Sequence, residues 1–352
     1  MPRKLHLVGL LALTGLLMSV GYALSQSQNQ RRTPARAPVP MVVVPVNVRD
    51  ASGDTVTGLT KADFTLEEDG RYQPITSFSI DPSPLSAAIV IDDGVGSKAL
   101  ERLVPLMQVM TSGFSQDDEM IAFRFDHLIW KLSDFTKDHA VIERAFNELP
   151  RIAQTRPPEG EPGEPAAAAP SWLRAIAGMV TIGSNGPPST GKVPTAADPP
   201  KRPPTSRLLH DAIYEAADAL RTRPSSNRKI IMIVSDGQVS GANKHSLEKN
   251  MDFLLANQIQ VYSVGVDYAL REAGLGVLHL YSNATGGDTY GGGSTSDMET
   301  AFQRITEQAR NQYVLGYFSD TRPIAGVHHT ITVKVNRPNV KVTHRRGYTV
   351  FG

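Results

Sequence analysis

The chain has 352 residues, of which 40% are hydrophobic and 20% charged, a composition that folds rather than stays disordered. Thirty-six Lys and Arg against 35 Asp and Glu leave a formal charge of +1, so there is no one-signed field of the kind a dedicated nucleic-acid binder carries. With no cysteine, disulfides, thiolate metal sites, a thiol nucleophile and a lipid-modified N-terminal cysteine are all excluded.

Arg3 and Lys4 precede a mostly apolar run over residues 5–23, and Ala23-Leu24-Ser25 offers small residues for cleavage. This reads as a secretory leader over residues 1–25, and about 18 apolar residues leave an uncleaved anchor as the alternative. The expected setting is exported: periplasm, cell envelope or outside, with no membrane span once the leader is cut. Residues 26–40 are polar and proline-containing, as in a linker.

Residues 41–82 alternate short β-type runs with turn signals. The runs are 41–48, 55–58, 64–67 and 75–80, and the turns include Asp69-Gly70. About forty residues bury too little to fold alone, so this module must pack on something else. From Leu85 the pattern changes to a continuous apolar strand over 85–91, a helix through Leu100 to Met110 with a kink at Pro105, and strands at 120–125 and 128–132. Asp138 caps a helix to Leu149. Further helices are expected over 208–221, 246–257, 272–283 and 298–311, with strands at 229–235, 259–266 and 312–318. Such alternation predicts an α/β fold, a Rossmann-like doubly wound and mainly parallel sheet over residues 83–320. The tail, 321–352, holds strand candidates at 330–335 and 341–348 and is expected to pack with 41–82 in one small β-module.

Residues 156–206 interrupt the domain. They hold 12 of the 25 prolines and read as a disordered insertion. Within them Trp172, Ile176, Met179 and Val180 recur near helical spacing. They form either a short helix docked on its own domain or a segment that binds a partner or touches a membrane.

In an open parallel sheet, ligands sit beyond the carboxyl ends of the strands. Two such ends carry acids here: Ile89-Val-Ile-Asp92-Asp93-Gly94-Val-Gly96-Ser97 and Ile231-Met-Ile-Val-Ser235-Asp236-Gly237. With Val44-Pro-Val-Asn-Val-Arg-Asp50, Gly58-Leu-Thr-Lys-Ala-Asp-Phe64, Leu209-His-Asp-Ala-Ile213, Gln312-Tyr-Val-Leu-Gly-Tyr317 and Arg346-Gly-Tyr348, the sequence resembles the von Willebrand factor A-related proteins of the Acidobacteria type over residues 42–348, the insertion apart. The resemblance implies a metal-ion-dependent adhesion site of the pattern Asp-x-Ser-x-Ser, a threonine on a second loop and an aspartate on a third. Hard oxygen ligands there hold Mg2+ or Mn2+, and an open position takes an acid from a protein partner.

The match is partial. Asp92 and Asp236 fall on the two aspartates, with Ser235 beside the second. Gly94 and Gly96 replace the serines, Ser97 comes one residue late, and Arg207 stands at the threonine position. The resemblance therefore implies a degenerate site, with no cofactor or with weakly held Mg2+ or Mn2+. Arg207 can instead bring a cation to both carboxylates. Asp93 either faces solvent or replaces lost hydroxyls, and Asp211 opens a helix that its charge favours.

No phosphate-binding loop, nucleophile elbow or zinc helix motif is present, and the nine histidines read as solvated or capping groups. Gly286-Gly287 and 291–294 read as flexible loops, and Tyr313 and Tyr317 as packing residues. The expected function is non-enzymatic protein binding at the rim formed by Asp93, Gly94, Gly96, Arg207, Asp211 and Ser235. The alternatives are a hydrolase using Asp92/Asp93 and Asp236, and a structural scaffold with a vestigial site.

Overall fold

The computed structural model describes residues 41–80, 83–95, 97–147, 149, 207–239, 242–270, 276–321 and 324–350. The leader, the linker, Gly96 and the insertion with Trp172, Ile176 and Met179 lie outside them.

The chain opens with β1 (Met41–Arg49), β2 (Phe64–Glu68), β3 (Arg71–Gln73) and β4 (Ser77–Ser79). The strand expected at 55–58 is only a single bridge from Arg49 to Thr55. Next come β5 (Leu85–Asp92), α1 (Ser97–Leu103) and α2 (Met107–Ser112). A 3-10 turn at Val104–Leu106 separates the helices where Pro105 has no N–H to give. β6 (Glu119–Phe125), β7 (Ile129–Lys131) and α3 (His139–Asn147) follow. Asp138 starts α3 by accepting the Ala140 N–H at 3.0 Å.

Past the insertion run α4 (Leu209–Arg221), β8 (Arg228–Ser235), α5 (Leu247–Ala256), β9 (Ile259–Gly265), α6 (Gly276–Thr285), β10 (Thr289–Gly291) and α7 (Thr295–Arg310). The chain ends in β11 (Tyr313–Phe318), β12 (His328–Val335), β13 (Lys341–His344) and β14 (Gly347–Thr349).

The central sheet has the order β10-β9-β8-β5-β6-β7. Its pairings are parallel except β6 with β7. Every residue of β5 is buried, because helices cover both faces and strands flank both edges. Leu85, Ala87, Ile89 and Ile91 face a core shared with α1, α2, α3 and α7. Ala88 and Val90 face a second core built from α4, α5 and α6. This is the Rossmann-like doubly wound fold, and the alternation of strand and helix dictates it. Strand β10, absent from the sequence reading, is three residues long and too short to leave a periodic signal.

The remaining strands make two four-stranded sheets, β13-β1-β11-β4 and β14-β12-β2-β3. They share one apolar core of Val42, Val44, Val46, Val48, Phe64, Leu66, Tyr313, Leu315, Tyr317, Ile331 and Val333 among others. β11 therefore does not extend the parallel sheet. It pairs antiparallel with β1 and β4, Val44 opposite Leu315. The strand expected over 341–348 is split, because its two halves serve different sheets: β13 pairs with β1 and β14 with β12. Tyr313 and Tyr317 are core residues.

A buried polar seam joins this sandwich to the α/β sheet. Gln312 Nε2 donates to Gln260 Oε1 and to Tyr262 Oη, both at 3.0 Å, and Arg49 pairs with Asp288. Gly286 and Gly287 are tightly packed against this seam rather than loose. Gly286 has φ +84°, and a Cβ at 287 would overlap the Val261 carbonyl oxygen. Gly287→Ala should lower stability by about 1–3 kcal/mol through overpacking, read as a fall in urea midpoint with unchanged slope. A midpoint equal to wild type would contradict this packing.

Candidate functional site

Three carboxylates meet at the carboxyl ends of adjacent strands. Asp92 ends β5, Asp126 follows β6, and Asp236 follows β8. Asp92 is fully buried. Its Oδ1 accepts the Gly94 N–H at 2.9 Å and its Oδ2 accepts the Ser235 hydroxyl at 2.7 Å. Burial first, and the Asp236 charge second, push Asp92 up to about 7 against the pull of Arg207, Ser235 and the Gly94 N–H. Asp236 is held by Gln238, whose N–H and Nε2 donate to its two oxygens at 3.0 and 2.8 Å.

Arg207 reaches all three acids. Its Nη1 lies 3.6 Å from Asp92 Oδ1 and 4.0 Å from Asp126 Oδ1, and its Nη2 lies 4.0 Å from Asp236 Oδ2. The backbone around it is fixed from both sides: the Leu208 N–H donates to the Asp126 carbonyl at 3.1 Å, and Asn243 Nδ2 donates to the Arg207 carbonyl at 2.8 Å. Gly94 makes the room. A Cβ there would overlap Arg207 Nη1 and stand 2.7 Å from Asp126 Oδ1 and 2.9 Å from Asp92 Oδ1. The guanidinium thus lies where a side chain at 94 would project. A divalent ion does not fit between these acids alongside it, and hydroxyls are missing at 94 and 207.

The other expected residues divide. Ser235 is buried on Asp92. Ser97 begins α1, and Gly96 is outside the described residues. Asp93, read as solvent-facing or as a substitute ligand, is buried instead and pairs with Arg124 at 2.5 Å. The Arg124 guanidinium in turn lies 3.6 Å from the Trp130 ring centre. Asp211 does more than favour its helix. It accepts the N–H groups of Lys244 at 3.0 Å and His245 at 2.9 Å, tying the loop after β8 to α4. These donors hold Asp211 below the usual carboxylate range against its desolvation. Asp126 was missed. Its signal was present, since it follows an apolar strand as Asp236 does. His127 Nδ1 lies 3.1 Å from its other oxygen.

The same edge carries exposed apolar side chains: Leu128 after β6, Val239 after β8, and Tyr268 and Leu270 after β9. Among the described residues no helix is long and apolar enough to cross a membrane.

No family model matches the chain, and no curated protein matches it. Among solved structures it is similar to the conserved hypothetical protein BatB from Bacteroides thetaiotaomicron, at 12% identity over 64% of this chain and 98% of that one, with a TM-score of 0.41. It is also similar to a von Willebrand factor type A structure from Catenulispora acidiphila, at 9% identity over 82% of this chain and 72% of that one, TM-score 0.43. The manganese-loaded TRAP protein of Plasmodium vivax aligns at 10% identity over 80% of this chain and 97% of that one, TM-score 0.38.

Two outcomes follow from the pit. Asp92 has a folded pKa of about 7, above its unfolded value of about 3.9. Its contribution to stability is therefore full below about pH 4 and is lost as pH rises to about 7. The loss is on the order of a few kcal/mol, taking about 1.4 kcal/mol per unit. Asp92→Asn should flatten the fall of stability over that window in urea titrations at stepped pH; parallel wild-type and variant curves would refute it. Gly94→Ser should destabilise the wild type by about 1–3 kcal/mol and cost less in an Arg207→Ala background. A double-mutant cycle with zero coupling would show that the guanidinium does not occupy that space.

Proposed function

We propose that this chain is an exported protein-binding module of the von Willebrand factor A-related Acidobacteria type. Its leader would be residues 1–25 and its linker 26–40. The binding surface would be the carboxyl-end rim, around a degenerate adhesion site whose cation is Arg207. The observation that carries this reading is the exposed apolar set Leu128, Val239, Tyr268 and Leu270 on the same edge as the acid pit. Exposed apolar groups rimmed by polar ones suit protein recognition.

Binding is favoured over hydrolysis because Asp92 is fully buried with both oxygens hydrogen-bonded, and Asp93 is engaged by Arg124. Neither presents a carboxylate to a substrate in this arrangement. A scaffold with a dead site would leave the apolar rim without a role.

The test is quantitative cross-linking capture from a cell-envelope fraction with the wild-type chain, Val239→Glu/Tyr268→Glu, and Tyr72→Glu as a control at an exposed position on β3. At least one captured protein should fall ten-fold or more with the rim variant and persist with the control. Identical capture by all three chains would sink the proposal.

A further inference from the structure

A second cluster of ligating side chains lies in the β-sandwich, outside the rim. Glu68 ends β2, Asp69 begins the turn to β3, and His329 is the second residue of β12. Antiparallel pairing of Ile331 with Glu68 brings them together. His329 Nδ1 lies 2.7 Å from Asp69 Oδ2 and 3.7 Å from Glu68 Oε1, and one ligand atom from each residue lies within 4.8 Å of the others. Nitrogen and oxygen ligands at about 2.0–2.2 Å from a shared ion stand roughly 3.0–3.5 Å apart. The two separations from His329, 2.7 and 3.7 Å, bracket that spacing and the third lies within 4.8 Å, so side-chain rotations close the set.

The surrounding groups hold the two carboxylates in place. Asp69 Oδ1 accepts the Thr330 N–H at 2.8 Å and the Thr330 hydroxyl at 3.1 Å, which leaves Oδ2 turned to His329. Glu68 Oε2 accepts the Tyr317 hydroxyl at 2.6 Å, and Oε1 accepts the Ser319 hydroxyl at 2.6 Å. Outer partners of this kind orient metal-binding carboxylates and raise affinity. Glu68 and His329 are buried while Asp69 is exposed, so one side stays open for entry and for water.

We propose that Glu68, Asp69 and His329 bind one divalent transition-metal ion of the zinc class, which fastens the β2 turn to the start of β12. Two carboxylates balance the ion's charge, and an imidazole selects it over magnesium or calcium. The site is independent of the Asp92 pit and of the proposed rim function.

The test is zinc titration calorimetry on the chelator-treated full chain, with cobalt absorption as a spectroscopic signature. One zinc per chain is expected, at least ten-fold weaker in Asp69→Asn and in His329→Asn and unchanged in Asp236→Asn. Asp69 has φ +50°, a left-handed conformation that asparagine tolerates, so Asp69→Asn should fold and decides the matter if His329→Asn does not. A visible cobalt band should be lost with Asp69→Asn and kept with Asp236→Asn. Zinc binding retained by the Asp69 and His329 variants, absent from every chain, or lost only in Asp236→Asn would overturn the proposal.

Discussion

Parallel strands that end side by side bring their terminal side chains to one place. Asp92, Asp126 and Asp236 stand at three such ends, and burial denies them the water that would stabilise their charge. Something cationic must stand among them. In this chain it is Arg207, within 4.0 Å of each acid. Desolvation first, and the charge of Asp236 second, raise the pKa of Asp92 against the pull of that guanidinium. Gly94 is part of the same arrangement, since any Cβ there would take the space the guanidinium fills. Gly94 and Arg207 thus depend on one another for the same space.

The pit also fixes its surroundings. Leu208 and Asn243 hold the Arg207 backbone, and Asp211 gathers the loop after β8 onto α4. These hydrogen bonds tie the rim's loop and helix together. On the proposed reading, apolar side chains on such a base would dock a partner at a lower entropic cost.

The β-sandwich has a different logic. Neither the first strands nor the tail can bury a core alone, so they share one, although the α/β domain lies between them in sequence. Pairing β1 with β11 joins residues far apart in sequence. Such pairing carries a large loop-closure cost and ties the sandwich to the completed α/β unit. The polar seam of Asn47, Gln260, Tyr262 and Gln312 sets the register, because a shifted strand would leave those groups buried and unsatisfied.

The sequence by itself determined the alternation of strands and helices, the break at Pro105, the burial of β5, and the two acids at Asp92 and Asp236. These are local signals: periodicity, a missing N–H, and an apolar run ending in aspartate. The resemblance, through the threonine position that Arg207 occupies, also implied a guanidinium near Asp92 and Asp236. The sequence did not give Asp126 a role, the burial of Asp93 on Arg124, the transfer of β11 to the sandwich, or the meeting of Glu68 and Asp69 with His329. Each of these depends on which strand lies beside which. Side-chain periodicity reports that a strand has an apolar face but not the partner that covers it. Only the tertiary structure, by setting the registers of β1 with β11 and β2 with β12, decided those neighbours.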